Sequence, residues 1–161
     1  MAATPSDEIK GLCMGIGFVV INWALIERQL DNWVVLIFHD CGGDTIRKDI
    51  PRMTKAKIAF LRRAFRKLEP LQPFKPEALE ILRKASEISQ KRNDFVHGVV
   101  EKVTPKMVEF SRLKHGDRHH QVTRGRFNAK HYPALSESLL GLSRNATEFS
   151  LHLLKTIPRR K

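Results

Sequence analysis

A chain of 161 residues, 42% hydrophobic and 29% charged, has the length and composition of one globular domain, not of a disordered tail or a fibre. Its net charge of +12 is unevenly spread: residues 1–45 carry 2 basic and 6 acidic groups, 46–75 carry 10 and 2, and 76–161 carry 17 and 9. Two scattered cysteines, Cys13 and Cys41, make neither a disulfide framework nor a C-x-x-C zinc ladder, so the expectation is a reducing cytoplasm with no metal and no cofactor.

The first helix is predicted from about Pro5 or Ser6 to about His39, with Thr4 as a cap, Pro5 in the first turn, and Asp7 and Glu8 near the positive end of the helix dipole. Leu12, Ile16, Val19, Trp23, Ile26, Leu30, Trp33 and Ile37 alternate steps of four and three, a seam for packing on another helix. Val20, Ala24, Val34 and Phe38 widen it. The apolar run "GLCMGIGFVVINWALI" is shorter than the roughly 20 residues a spanning helix needs. It contains Asn22, continues into "ERQLDN" and follows an acidic "SDEIK". A buried helix is therefore expected, not a membrane span or a secretory leader. The two tryptophans on it also suit a dimer interface. Glu27 sits at the edge of the apolar face, where a carboxylate wants a cationic partner; the alternative is a rim group pointing at water. "CGGD", Cys41 to Asp44, should end the helix.

The basic block "RKDIPRMTKAKIAFLRRAFRK" contains a second helix, Thr54 to Leu68. Ile58, Leu61, Phe65 and Leu68 line one face and cations the other. Such a face attracts phosphate backbones, or simply keeps a protein dissolved. The three prolines of "EPLQPFKPEA" predict a loop. A third helix from about Pro76 carries Leu79, Leu82, Ala85, Ile88 and Val96 inward and stops at Gly98.

"VVEKV", "MVEFSRLKH" and "HQVTRGRF" then read as two or three short antiparallel strands over about 99–127, with turns at "TPK" and "HGD". His115, His119 and His120 fall around that second turn and read as solvated turn residues, not as a metal site. A last helix spans about Pro133 to Ile157, with Leu135, Leu139, Leu142, Ala146, Phe149 and Leu153 as its seam. The expected fold is a single, mainly α domain over 1–161: an antiparallel bundle of four to five helices with a β-hairpin or three-strand insertion before the last long helix.

No Ser-His-Asp arrangement or phosphate loop stands out. The segment that carries chemistry is "QKRNDFVHG", Gln90 to Gly98, in which Arg92, Asn93 and His97 have the spacing R-N-x-x-x-H. This resembles the motif at a helix end in the HEPN superfamily, the higher eukaryotes and prokaryotes nucleotide-binding domains. The layout is similar too: a long first helix with an acidic residue after an aromatic ("WALIERQL"), a later helix ending in "HG", and a last long helix. The resemblance covers most of the chain in layout but only about six residues in specific chemistry.

It implies a metal-independent endoribonuclease, commonly the toxin of a toxin–antitoxin pair with a nucleotidyltransferase-like antitoxin, its site shared between two subunits of a homodimer. The alternative is a non-catalytic dimer of the same type that binds RNA, a nucleotide or a protein partner. In the catalytic version His97 moves a proton at the ribose 2′-hydroxyl, since an unperturbed imidazole titrates near pH 6.5. Arg92 stabilises the charged phosphorane, Asn93 orients, and Glu27 positions Arg92. Lys55, Lys57, Arg62, Arg63, Arg66 and Lys67 draw in the RNA. Val99 departs from the pattern, because some ribonuclease members carry there a Tyr that the antitoxin modifies.

Residues five apart on a straight helix point about 140° from each other. Two routes bring Arg92 and His97 together: a left-handed Gly98 that turns the chain at His97, or a second subunit facing the first. In a purely structural alternative, Arg92 pairs with Glu27, Asn93 caps the helix and His97 bonds a last-turn carbonyl.

Overall fold

The computed structural model describes residues 7–104, 106–115 and 120–158. Four helices are present: α1 (Asp7–Asp40), α2 (Thr54–Lys67), α3 (Lys75–His97) and α4 (Tyr132–Thr156). Between α3 and α4 lies an antiparallel sheet of β1 (Val99–Thr104), β2 (Met107–His115) and β3 (His120–Asn128), in the order β1-β2-β3. The fold is the expected one, a mainly α bundle with a strand insertion before the last helix.

The seven-residue seams explain the packing. Val19, Trp23, Ile26, Leu30, Trp33 and Ile37 of α1 are buried, as are Leu135, Leu139, Leu142, Ala146, Phe149 and Leu153 of α4. At their centre the Trp33 ring lies edge-on to Phe149 at 4.8 Å and to Phe65 of α2 at 6.4 Å. Its indole N–H donates to Ser150 Oγ at 2.5 Å, the partner a buried tryptophan needs. Gly15 faces Tyr132 and Trp33 faces Ser150, so α1 and α4 run in the same direction. The α3 helix runs against both. Phe74, just before it, packs on Phe149, whereas Lys91 and Leu135 share a cleft at the other end.

Several expectations are corrected. Residues Glu69–Phe74 form a 3₁₀ turn instead of an open loop, because Leu71 and Phe74, three apart, are both buried. Trp23 and Trp33 are 2% and 1% exposed, so neither is available to a second subunit. The α1 helix is buried along one stripe only. Met14, Ile21, Leu25 and Val35 are 76%, 65%, 49% and 51% exposed on its other side. Its length and mean hydropathy of 1.9 meet the condition for crossing a membrane, and only 22% of that apolar window is buried. The "CGGD" stop behaves as expected: Gly42 has φ of 80°, the left-handed conformation that glycine adopts without penalty.

Candidate functional site

The apolar stripe of α3 runs through Ala78, Ile81, Leu82, Ala85 and Ile88, all buried. Four-residue steps continue it to Arg92 and Val96, both half-buried. An arginine therefore enters the bundle where the pattern leads one to expect an apolar side chain. Its Nη1 donates to Asn93 Oδ1 at 3.1 Å. Its Nε is buried and has no hydrogen-bond partner among the described residues. A buried donor left in that state costs about 1–3 kcal/mol, so its retention asks for a reason. Asn93 uses its carbonyl oxygen on Arg92, and His97, one turn on, is exposed.

Gly98 ends the helix in a different way from that expected. Its φ of −80° and ψ of 141° are extended backbone, and its N–H still donates to Asp94 O at 3.0 Å. The chain goes straight into β1. A Cβ at this position would collide with Asp94 O and lie 3.2 Å from the Phe110 ring. Glycine is needed here for close approach, not for handedness. The consequence is geometric: α3 stays regular to His97, so Arg92 and His97 of one subunit remain about 140° apart. Of the two routes to a joint site, only the second subunit is left.

Glu27 is not placed to orient Arg92. Its carboxylate accepts from the Thr54 hydroxyl at the start of α2, and Lys57 Nζ lies 3.9 Å away. The same ammonium is 2.6 Å from Asp31, one turn further along α1. Lys57 is only 7% exposed. This cluster fixes α2 to α1, and Lys57, expected on an RNA-binding surface, faces inward.

Arg62 is half-buried and donates to Leu82 O at 3.2 Å. Lys55, Arg63, Arg66 and Lys67 are exposed, as an RNA-binding face requires. Yet Leu82 lies about 22 Å along α3 from His97, at 1.5 Å per residue. Arg62 therefore sits beside the first half of α3, and the candidate chemistry sits at its end.

The strand insertion supplies the cations nearest that end. Lys102, Glu109 and Arg126 pair in one row across the three strands, and Arg126 Nε is 3.0 Å from Glu109. Arg112 Nη1 lies 3.4 Å from Asp94 Oδ1 on α3. Sequence reading missed Lys91, Asp94 and Arg112. The first two stand inside the quoted segment at i and i+3, a spacing that signals a shared helix face. Nothing in the sequence ties Arg112 to them.

His115 and His120 pair across β2 and β3, and His119 lies outside the described residues. No group of three or more His, Cys, Asp or Glu among the described residues is placed to hold a metal. Comparisons with family models, with curated proteins and with solved structures found no match to the chain.

Proposed function

We propose that the chain acts as a homodimeric, metal-independent endoribonuclease of HEPN-like type, with Arg92 of one subunit and His97 of the other serving one phosphodiester. The observation that carries this reading is Arg92: a half-buried guanidinium whose Nε has no partner among the described residues, held by Asn93, which stands one turn before an exposed histidine. A guanidinium held in place needs little reorganisation to meet a phosphorane. A two-fold axis gives the dimer two such Arg92–His97 pairs. In each, His97 takes the proton of the 2′-hydroxyl as the 2′-oxygen bonds to phosphorus. The P–O5′ bond breaks, and the proton held by His97 passes to the departing 5′-oxygen. The products are a 2′,3′-cyclic phosphate and a 5′-hydroxyl end.

The uncovered face of α1 supports the dimer. Met14, Ile21, Leu25 and Val35 form an apolar stripe along α1, and its Met14 end lies at the end of the bundle that also holds His97. Stripes of this kind mark interaction surfaces. A second copy suits it better than a bilayer, because the opposite stripe of α1 supplies Trp23, Ile26, Leu30 and Trp33 to the core. A spanning helix would have to give up that core. An antitoxin partner follows from the toxin version of this reading, on the same footing.

The test is cleavage of single-stranded RNA by the native chain in the presence of a chelator, with the end groups of the products identified. Cleavage to cyclic phosphate ends, reduced at least about 100-fold by His97→Ala with stability held within about 0.5 kcal/mol, is expected. RNA left intact by the native chain, or cut equally well by the His97→Ala chain, overturns the reading.

A further inference from the structure

A cleft of about 410 Å³ opens beneath the sheet, between β2, β3, α3 and the start of α4. Phe110, Phe127 and Leu135 are among its apolar lining, and Lys91, Asp94 and Arg126, the last already paired with Glu109, are among its polar lining. Its volume lies in the range of small-ligand pockets. A second cleft of about 320 Å³ shares Lys91, Leu135 and Ser138 with it, so the two form one trough along the α3–α4 groove. Nothing assigned so far uses this trough.

Three features define what fits. Lys91 is exposed and forms no ion pair among the described residues, so its ammonium is free for an anion. Two phenylalanines offer apolar surface on which a flat base can pack. Asp94 receives Gln90 Nε2 and Arg112 Nη1, each at 3.4 Å and each on Oδ1. Among the described residues no donor reaches its Oδ2. A carboxylate there accepts from an amino group and repels a carbonyl oxygen.

We infer that the trough holds one base of single-stranded RNA beside the scissile phosphate, with Lys91 on the backbone and Asp94 selecting an amino-bearing base over uracil. His97 lies three residues after Asp94, the next turn on the same side of α3, so a strand leaving the trough reaches the histidine. Cytosine and uracil separate the two outcomes cleanly. At the same ring position cytosine presents an N4 amino donor and uracil an O4 acceptor, and Asp is a known acceptor for N4. This inference gives the proposed ribonuclease its base preference, and it rests on that reading.

The experiment measures binding apart from cleavage. Fluorescein-labelled octacytidylate and octauridylate are titrated by anisotropy into the full chain carrying His97→Ala. Octacytidylate should bind at least about fivefold more tightly than octauridylate. Asp94→Asn should bring the two together. Lys91→Gln should weaken both about equally and lower the salt dependence by about one charge. Ser138→Tyr, an exposed substitution that fills the trough, should weaken both without unfolding the chain. Equal affinity for the two oligomers, or a preference for cytosine that survives Asp94→Asn, overturns the inference even if the native chain cuts RNA. So does octacytidylate binding that Lys91→Gln and Ser138→Tyr leave unchanged. If cytidine mononucleotide binds as tightly as the oligomer, the trough is a free-nucleotide site and the RNA assignment fails. Loss of cleavage activity in the native chain with the base preference intact would sink the ribonuclease reading and leave the trough standing.

Discussion

The two ends of α3 are built differently. Where the helix starts, Phe74, Ala78, Ile81 and Leu82 are buried, and the rings of Trp33, Phe65, Phe74 and Phe149 close around one another. Where it stops, Arg92, Asn93, Asp94 and Val96 are half-buried, and no described residue of the sheet is fully buried. One end has its polar atoms matched, as in the Glu27, Asp31 and Lys57 cluster beside it. The other keeps a buried guanidinium nitrogen with no hydrogen-bond partner among the described residues. Stability and the proposed chemistry are separated along one helix: the aromatic end holds the bundle together, and the cationic end carries the groups whose cost packing does not explain.

Substitutions can break or sharpen that contrast. The largest effect belongs to the packed end. Trp33→Ala should cost about 3–5 kcal/mol in urea unfolding, since it empties the aromatic centre and removes the N–H that Ser150 Oγ accepts. A loss below about 1 kcal/mol would mean that the aromatic cluster is not the anchor claimed for it. At the other end, Arg92→Leu should leave stability unchanged or raise it by about 1 kcal/mol, because it removes an orphaned buried donor. The same change should reduce RNA cleavage by about 100-fold or more. A strongly destabilised Arg92→Leu chain would make Arg92 an ordinary structural residue.

The smallest effect concerns the exposed middle of α3. Glu80 accepts two hydrogen bonds from Arg83, which pull its carboxyl down from 4.5 to about 2. A depressed carboxylate stabilises the fold above its ordinary range, and that contribution fades as pH falls from about 4.5 through about 2. The group is solvent-exposed, so the effect is small. The urea midpoints of the native chain and of Arg83→Gln should differ slightly at neutral pH and converge on acidification. A gap that widens at low pH contradicts the assignment.

Much of this architecture was legible in the sequence because helix seams, glycine stops and strand alternation are local signals. The α2 and α4 boundaries fall within a residue or so of their predicted positions for that reason. Lys57 was not legible. A lysine on the polar side of a helix looks the same whether it meets water or a carboxylate from a distant helix, and here Asp31 of α1 meets it. The role of Gly98 was half legible: the stop was visible, but the reason for it is the ring of Phe110, which only the folded sheet brings there. The outer stripe of α1 was hidden for a similar cause. A continuous apolar run does not say which of its sides the protomer covers.

The central claim is that one active site takes Arg92 from one subunit and His97 from the other. It is tested most directly by mixing two inactive chains, Arg92→Ala and His97→Ala, under conditions that exchange subunits, and measuring RNA cleavage. Each mixed dimer then has one intact Arg92–His97 pair across the axis. Random exchange makes half the dimers mixed, so activity should return to about a quarter of the native level. A mixture as inactive as its two components would contradict the shared site.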